Sequence, residues 1–590
     1  MSRILGRRPL AAVTALIAAA ALVAGCSGGG SATDTSSTPA GNSTTAGSSS
    51  AETSGGSSAP GASSSEPGGS SSAPGESSSG TGSAEPSSPP KVTPSGSYTL
   101  GVTSYFLQHL MPGNSGGSNV NSALFTPLTV VDPKTREVRN AVAESITSDD
   151  NKVWDITLKD GWKFSNGEPV TAQSFADSWN ATANPKNAMT GNLDMSIFAG
   201  YADMNPAQGD AKATTLSGVE VVDDLHLKVT LDKPNALFPS RLSGSTFAPI
   251  PTEAAKDFAA FDLNPIGNGP YMVTGGGMKA GAQQVVLEPN PNYIGDDPAH
   301  AASVTIKSYQ DSTAIYTDFQ AGAIDLALVD GNDLTQAKAE YPDQVVDVNY
   351  PAVVYLGFPT WDPRFDNIKV RQAISLAIDR QTIIDALLKG NATVAQGVAP
   401  ESLPGGGQTD CEYCTLDVDK AKSLLADGGG WSGPLTLYSY SDPTNEAVMG
   451  AIANQLRSNL GIDATSETQP VDQLYKNFAD KSLKGAFLLY SGTNIAHLYG
   501  EVSALFTPGV LNASAYSSDK VTALLDEALN ASSPDEFTAK VQEASKTALA
   551  DMPIAPLYYP VGGLLHSTKL SGVQPELLGG ADLAAVQVSG

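Results

Sequence analysis

Residues 113–117, Gly-Asn-Ser-Gly-Gly, satisfy the G-x-S-x-G spacing in which a serine hydroxyl is presented as a nucleophile. That chemistry needs a strongly apolar strand before the serine and a helix after it. Here "SYFLQHLMP" precedes, with Pro112 directly against Gly113, and Ser118-Asn119 follow. A chymotrypsin-like order needs a His and an Asp well upstream of the serine, and His109 is the only histidine before Ser115. The glycines read as a flexible loop, and catalysis by Ser115 is not expected. The cysteines are Cys26, Cys411 and Cys414, the last two in "DCEYCT". One C-x2-C pair is half of a zinc site, which takes four ligands, and no second cysteine pair exists. His109, His226, His300, His497 and His566 are scattered with no metal-binding spacing. No thioredoxin-like strand-to-helix context surrounds the pair, so a structural Cys411–Cys414 disulfide is expected for an exported chain. No catalytic residue, metal or cofactor is assigned.

Export follows from the first residues. Arg3, Arg7 and Arg8 form a basic start, and Leu10 to Ala24 is apolar. That run is shorter than the about 20 residues of a membrane span and suits a secretory signal over 1–25. It closes on Val23-Ala24-Gly25-Cys26, which resembles the lipobox of bacterial lipoproteins; the resemblance implies that Cys26 carries the lipid and becomes the new N-terminus. Residues 26–95 are almost entirely Ser, Gly, Pro, Thr and Ala. Such a segment buries too little apolar surface to offset its ordering entropy and is expected to be a disordered tether. As a flexible coil it would reach about 45 Å.

The remaining body is too long for one core, so two or three lobes are expected. A net charge of −27 argues against nucleic-acid binding and reads as a solvated surface. Strands and helices interleave along it. "VWDITLKDGWKF" (153–164) alternates Trp154, Ile156 and Leu158 and then turns at Asp160-Gly161, predicting a hairpin. "LHLKVTL" (225–231) alternates likewise. "TAQSFADSW" predicts a helix capped by Thr171, with Ala172, Phe175, Ala176 and Trp179 on one stripe. "KVRQAISLAIDRQTIIDALLKG" predicts one helix with Val370, Ala373, Ile374, Ala377 and Ile378 inward, ending at Gly390. Ser533-Pro534-Asp535-Glu536 has the form of a capping box. The pattern is α/β.

Four stretches of the body, in order, resemble the extracytoplasmic solute-binding proteins of ABC importers, specifically the peptide/nickel-type family. They are "AVAESITSDDNKVWDITLKDGWKFSNGEPVTAQSFADSW" (141–179), "NPIGNGPYMV" (264–273), "LEPNPNYIG" (287–295) with "DFQAGAIDLALV" (318–329), and "NIKVRQAISLAIDRQTII" (367–384). Asn268 stands where Thr is usual and Ile294 where Trp is usual. "DVDKAKSLLADGG" and "DMPIAPLYY" extend the likeness more loosely. The resemblance implies a two-lobe periplasmic-binding-protein-like α/β fold with hinge strands and an extra N-terminal subdomain. Lobe I would cover 96–310 with the small subdomain at about 140–215, lobe II 311–554, and 555–590 would return to lobe I. Arg371, Asp379 and Arg380 are expected in buried or interdomain ion pairs.

The resemblance also implies the function: a monomer, lipid-anchored on the extracytoplasmic face of the bacterial plasma membrane, capturing a small peptide-like solute between its lobes. It would deliver that solute to ABC permease and ATPase subunits. A non-transporting adhesin or signalling lipoprotein on the same scaffold is the alternative. In peptide-binding relatives an aspartate in "W-x-A-D-Y" meets the peptide ammonium; the corresponding stretch here is "LLYSGTNIAH". Tyr490, Thr493 and Asn494 then stand for Trp, Asp and Tyr and are expected to line the ligand site. Thr493 can hydrogen-bond but cannot neutralise a cation, and an unpaired buried charge is costly. A neutral, blocked or non-peptide solute therefore fits as well, unless a nearby acid such as Glu501 takes the role.

Overall fold

The structure, a computed structural model, describes residues 92–103, 107–114, 119–278, 284–408, 411–492, 495–509 and 511–589. Cys26, nearly all of the expected tether, Ser115, Thr493 and Asn494 lie outside the described residues.

Among the described residues the largest sheet has twelve strands and divides into two halves that share one strand, Ile554–His566. In one half Ser97–Thr103 runs parallel to Ser303–Tyr309 and to Leu326–Val329, and Gln284–Pro289 and Tyr271–Thr274 extend the edge. In the other, Ala352–Gly357 pairs antiparallel with Ala486–Gly492, followed by Leu435–Tyr440 and Ala464–Gln469. Ala352–Gly357 is buried at all six positions, as a strand covered on both faces should be. Leu326–Val329 and Val345–Asn349 lie in the first half-sheet, beyond the expected boundary at residue 310.

Two segments cross between the halves. Within the shared strand, Ile554–Tyr558 pairs with Val354–Gly357, whereas Val561–Leu565 pairs with Val345–Asn349. The second crossing is the connection Tyr350-Pro351 between strands Val345–Asn349 and Ala352–Gly357. Pro351 and Pro560 fall at the two crossings, where a missing backbone donor weakens the ladder least. Each half has its own core, one around Val353, Ile374, Leu437, Leu456 and Phe487, the other around Tyr98, Leu124, Tyr271, Val304 and Leu583. This is a two-lobed α/β molecule.

A third core belongs to a four-stranded antiparallel sheet, ordered Ala143–Thr147, Val153–Leu158, His226–Thr230, Val219–Asp223. Its strands alternate buried and exposed residues because only one face is covered, by the helix Ala172–Ala183. Thr171 caps that helix through a box with Ser174. The expected 153–164 hairpin does not form. Val153–Leu158 pairs with 143–147 and 226–230 instead, and Trp162 to Val170 close a separate small loop bridged at Lys163 and Pro169. The box near 533 is also shifted: Ser533 caps Glu536 N, but the Glu536 carboxylate accepts from Ser532 N and Oγ.

The long helix expected over 369–390 is two, Ile368–Leu376 and Arg380–Leu387. Asp379 breaks it by accepting from Thr382 N as an N-cap, a bond that an interior helical position would not offer. Arg371 and Arg380 are buried as expected, but they bind backbone carbonyls rather than carboxylates. Arg371 donates to the carbonyls of Phe365, Asp366, Asp551 and Met552. Arg380 donates to those of Ser375, Ile378 and Pro556. Carbonyls beyond helix ends, such as those of Asp551 and Met552, find in a guanidinium fork the partner that the helix does not supply.

Candidate functional site

Tyr490, on strand Ala486–Gly492, packs against the cores of both lobes. Burial, then the nearby Glu501, Asp330 and Tyr440, hold its hydroxyl protonated well above the ordinary tyrosine range. Beside it on the crossing segment, the Tyr350 hydroxyl donates to Asp330 Oδ1 at 3.0 Å. Burial raises the Asp330 carboxyl to about 6 against that hydrogen bond. A side chain at Gly562, on the shared strand that makes the other crossing, would place its Cβ 2.5 Å from Asp330 Oδ1 and 2.6 Å from the Tyr350 hydroxyl. The two crossings are thus packed together through one acid–phenol pair, its phenol buried and its acid half-buried.

Glu501, the alternative ammonium acceptor, is 0% exposed on helix Leu498–Phe506, and Ser491 Oγ donates to its Oε2 at 2.6 Å. The same helix starts at His497, whose Nδ1 accepts from Tyr499 N at 3.1 Å while its ring meets Phe537 edge-on. An Nδ1 that accepts belongs to a neutral ring, and burial lowers the His497 pKa to about 4. The unfolded chain, with an ordinary histidine, binds more protons between about pH 6.5 and 4, so this contribution to stability is intact above pH 6.5 and lost as pH falls to 4. Its full size is about 3 kcal/mol. Asp330, and Glu576 raised by burial to about 8, act in the opposite sense. The difference between wild type and His497→Asn, which keeps a capping acceptor, isolates the histidine. Urea midpoints across pH 7.5 to 4 should fall more steeply for wild type; parallel curves would refute the assignment.

A pocket of about 100 Å³ opens between the small subdomain, the segment following Tyr490 and the C-terminal segment. Thr190, Asp194, Arg241 and Phe247 reach it from the small subdomain, Ile495 from the segment following Tyr490, and Leu578 from the C-terminal segment. Arg241 ends the single turn Phe238–Arg241, and Asp194 sits in the 3-10 segment Thr190–Ile197. Arg241 Nη2 is 3.7 Å from Asp194 Oδ1, too far for a hydrogen bond. Burial lowers the Arg241 pKa and raises that of Asp194, each partly offset by the other's charge. The sequence reading passed over this pair. The available signal was a lone arginine in an otherwise uncharged stretch, "LFPSRLSG", in a chain with 34 basic against 61 acidic residues.

Of the other sequence-derived positions, Cys411 and Cys414 are joined as a disulfide with Cα atoms 5.4 Å apart, both buried in the larger core. His109 Nδ1 lies 2.6 Å from Asp262, which also accepts from Leu110 N and Met111 N; the hydrogen bond to Asp262 raises the His109 pKa. That carboxylate clamps the backbone at Leu110 and Met111. Among the described residues no group of three or more His, Cys, Asp or Glu could hold a metal, and no helix is long and apolar enough to cross a membrane.

Residues 137–517, more than half of the chain, match the model of bacterial extracellular solute-binding proteins, family 5. The chain is 27% identical over 481 residues to the periplasmic oligopeptide-binding protein OppA of Escherichia coli, covering 77% of this chain and 85% of that protein. It is 27% identical over 454 residues to the periplasmic murein peptide-binding protein MppA of the same organism, covering 74% and 82%. The fold matches the unliganded open form of MppA with a TM-score of 0.72 at 22% identity, covering 84% of this chain and 98% of that one. With two lobes joined by shared strands and a subdomain built on the predicted 141–179 motif, the chain belongs to the family 5 bacterial extracellular solute-binding proteins.

Proposed function

We propose that this protein captures a peptide or peptide-like solute between its lobes and delivers it to an ABC permease from a lipid anchor at Cys26. The observation that carries this reading is the strand Ile554–His566, shared by both half-sheets and paired at the crossing with Val345–Asn349. Two short crossings let rigid lobes close by small backbone rotations, and closure hides a solute while presenting a new surface to a membrane partner. The relatives named as peptide-binding supply the solute class. Tyr490, Thr493 and Asn494 line the ligand site in this reading, and Thr493 anchors by hydrogen bonding without neutralising an ammonium.

Calorimetric titration of the mature chain with short peptides, each with a free and an acetylated N-terminus, tests it. Saturable one-to-one binding is expected, with acetylation changing affinity less than tenfold. If no peptide binds saturably, the peptide reading fails; if acetylation abolishes binding, an acid and not Thr493 is the anchor.

The anchor has its own test. Cys26→Ser should remove the lipid-bearing mass and release essentially all of the protein from the membrane fraction. Retention and mass unchanged from wild type would refute lipidation at Cys26.

A further inference from the structure

The geometry points to Arg241 as the receptor for a carboxylate of the captured solute, with Asp194 as the resident counter-charge against which that carboxylate competes. The inference rests on solute capture between the lobes and deepens it by naming the charge that the solute must carry.

Three other arginines, Arg371 and Arg380 buried and Arg364 partly buried, set the standard. Arg371 and Arg380 each make at least four hydrogen bonds, and Arg364 holds Asp362 through Nε and Nη2 while Nη1 donates to Pro434 O. Arg241 is different. Its side chain is 13% exposed, it donates no hydrogen bond to a described residue, and its Nε is buried with no partner. A guanidinium carries five N–H donors, and leaving them unmet away from water is expensive. Asp194 is the only carboxylate paired with it among the described residues, and at 3.7 Å that pair is loose. The arrangement makes sense if a second acceptor arrives with the ligand.

The pocket suits such an acceptor. A volume of about 100 Å³ exceeds what a single water needs several-fold and holds a carboxylate with its adjoining carbons. Ile495, Leu578 and Phe247 give it an apolar wall, and low dielectric there strengthens a guanidinium–carboxylate contact. Arginine's planar fork matches a carboxylate in two parallel hydrogen bonds. Because the walls come from the small subdomain, the segment after Tyr490 and the C-terminal segment, a group bound here touches parts of the chain that lobe motion separates.

The test uses the mature chain and matched peptides of two to six residues, each as free acid and C-terminal amide, with Glu and Gln twins at each interior position. Wild type should bind at least one acid form at least tenfold more tightly than its neutral twin. Arg241→Gln should abolish that preference while changing affinity for the neutral twin less than threefold, and Arg241→Lys should restore part of it. Asp194→Asn, which removes the competing charge, should keep the preference for the acid. Equal binding of all twins by wild type overturns the inference while peptide capture stands, and so does an acid preference that survives in Arg241→Gln or disappears in Asp194→Asn. If no peptide binds, native mass spectrometry of the freshly purified protein decides. A co-purified carboxylate-bearing solute that Arg241→Gln loses supports the inference against a failed peptide reading. A solute without a carboxylate, or one retained by Arg241→Gln, overturns it, and no solute at all overturns both.

Discussion

Arg380→Met should destabilise the protein by about 4 kcal/mol, close to half of what holds many domains folded. Arg380 is 4% exposed, and its fork is filled: Nε donates to Pro556 O at 2.7 Å, Nη1 to Ser375 O at 3.0 Å and Ile378 O at 3.2 Å, and Nη2 to Ser375 Oγ at 2.8 Å. Methionine replaces the volume and none of the donors. Three buried carbonyls then lose a partner at about 1 to 3 kcal/mol each, offset by roughly 1 to 2 kcal/mol from burying the thioether chain. Burial brings the Arg380 pKa down to about 9, so the group is charged at neutral pH and its removal also relieves a desolvated cation. The carbonyl of Pro556 lies on the strand shared by the two lobes, so the damage reaches the crossing as well as the 368–387 helices. Arg380→Lys keeps the charge but cannot span three acceptors, and should recover only a minor part. Urea unfolding read by near-ultraviolet circular dichroism measures both variants; a loss below 1 kcal/mol for Met would show that the carbonyls find water or other donors.

Trp179→Ala should cost about 3 to 5 kcal/mol, the range for an aromatic cut back to a methyl in a packed core. Trp179 is 0% exposed, stacks on Phe198 at 5.0 Å between ring centroids, and meets Phe175 and Phe247 edge-on. Its Nε1 donates to Phe247 O at 2.9 Å, so truncation also orphans that carbonyl. The loss falls on the smallest of the three main cores, so local opening should precede global unfolding. Limited proteolysis of the variant should produce early cuts within 128–247 while fragments of the two lobes persist. Phe247 lines the Arg241 pocket, and the same variant should therefore weaken solute binding. An unchanged digestion pattern would mean that the subdomain core repacks around the gap.

Residues 141–179 show how far local pattern carries. The alternation Trp154, Ile156, Leu158 and the stripe Phe175, Ala176, Trp179 name the buried faces of a strand and a helix, and all six side chains are buried. Period and capping are properties of neighbouring residues, so they survive whatever the rest of the chain does. The family motifs are legible for the same reason: most of their residues pack or cap within one short stretch. The disulfide is local too, its cysteines three positions apart in the chain and 5.4 Å apart at Cα.

Choice of partner was decided elsewhere. The strand 153–158 carries an apolar face that any antiparallel neighbour could cover; 226–230 takes it over the nearer 162–164 because that sheet then buries the apolar face of the Trp179 helix. Arg371 and Arg380 announce buried cations, yet their acceptors are carbonyls, several of them at 551, 552 and 556, more than 170 residues away. Arg241 and Asp194 meet Ile495 and Leu578 only because three segments distant in sequence converge. Sequence by itself determined which faces are apolar, where helices start and to which family the chain belongs. Tertiary structure alone decided what those faces and charges meet, since hydrophobic burial is non-directional and a side chain's partner is set by which distant segments the closed sheet brings within reach.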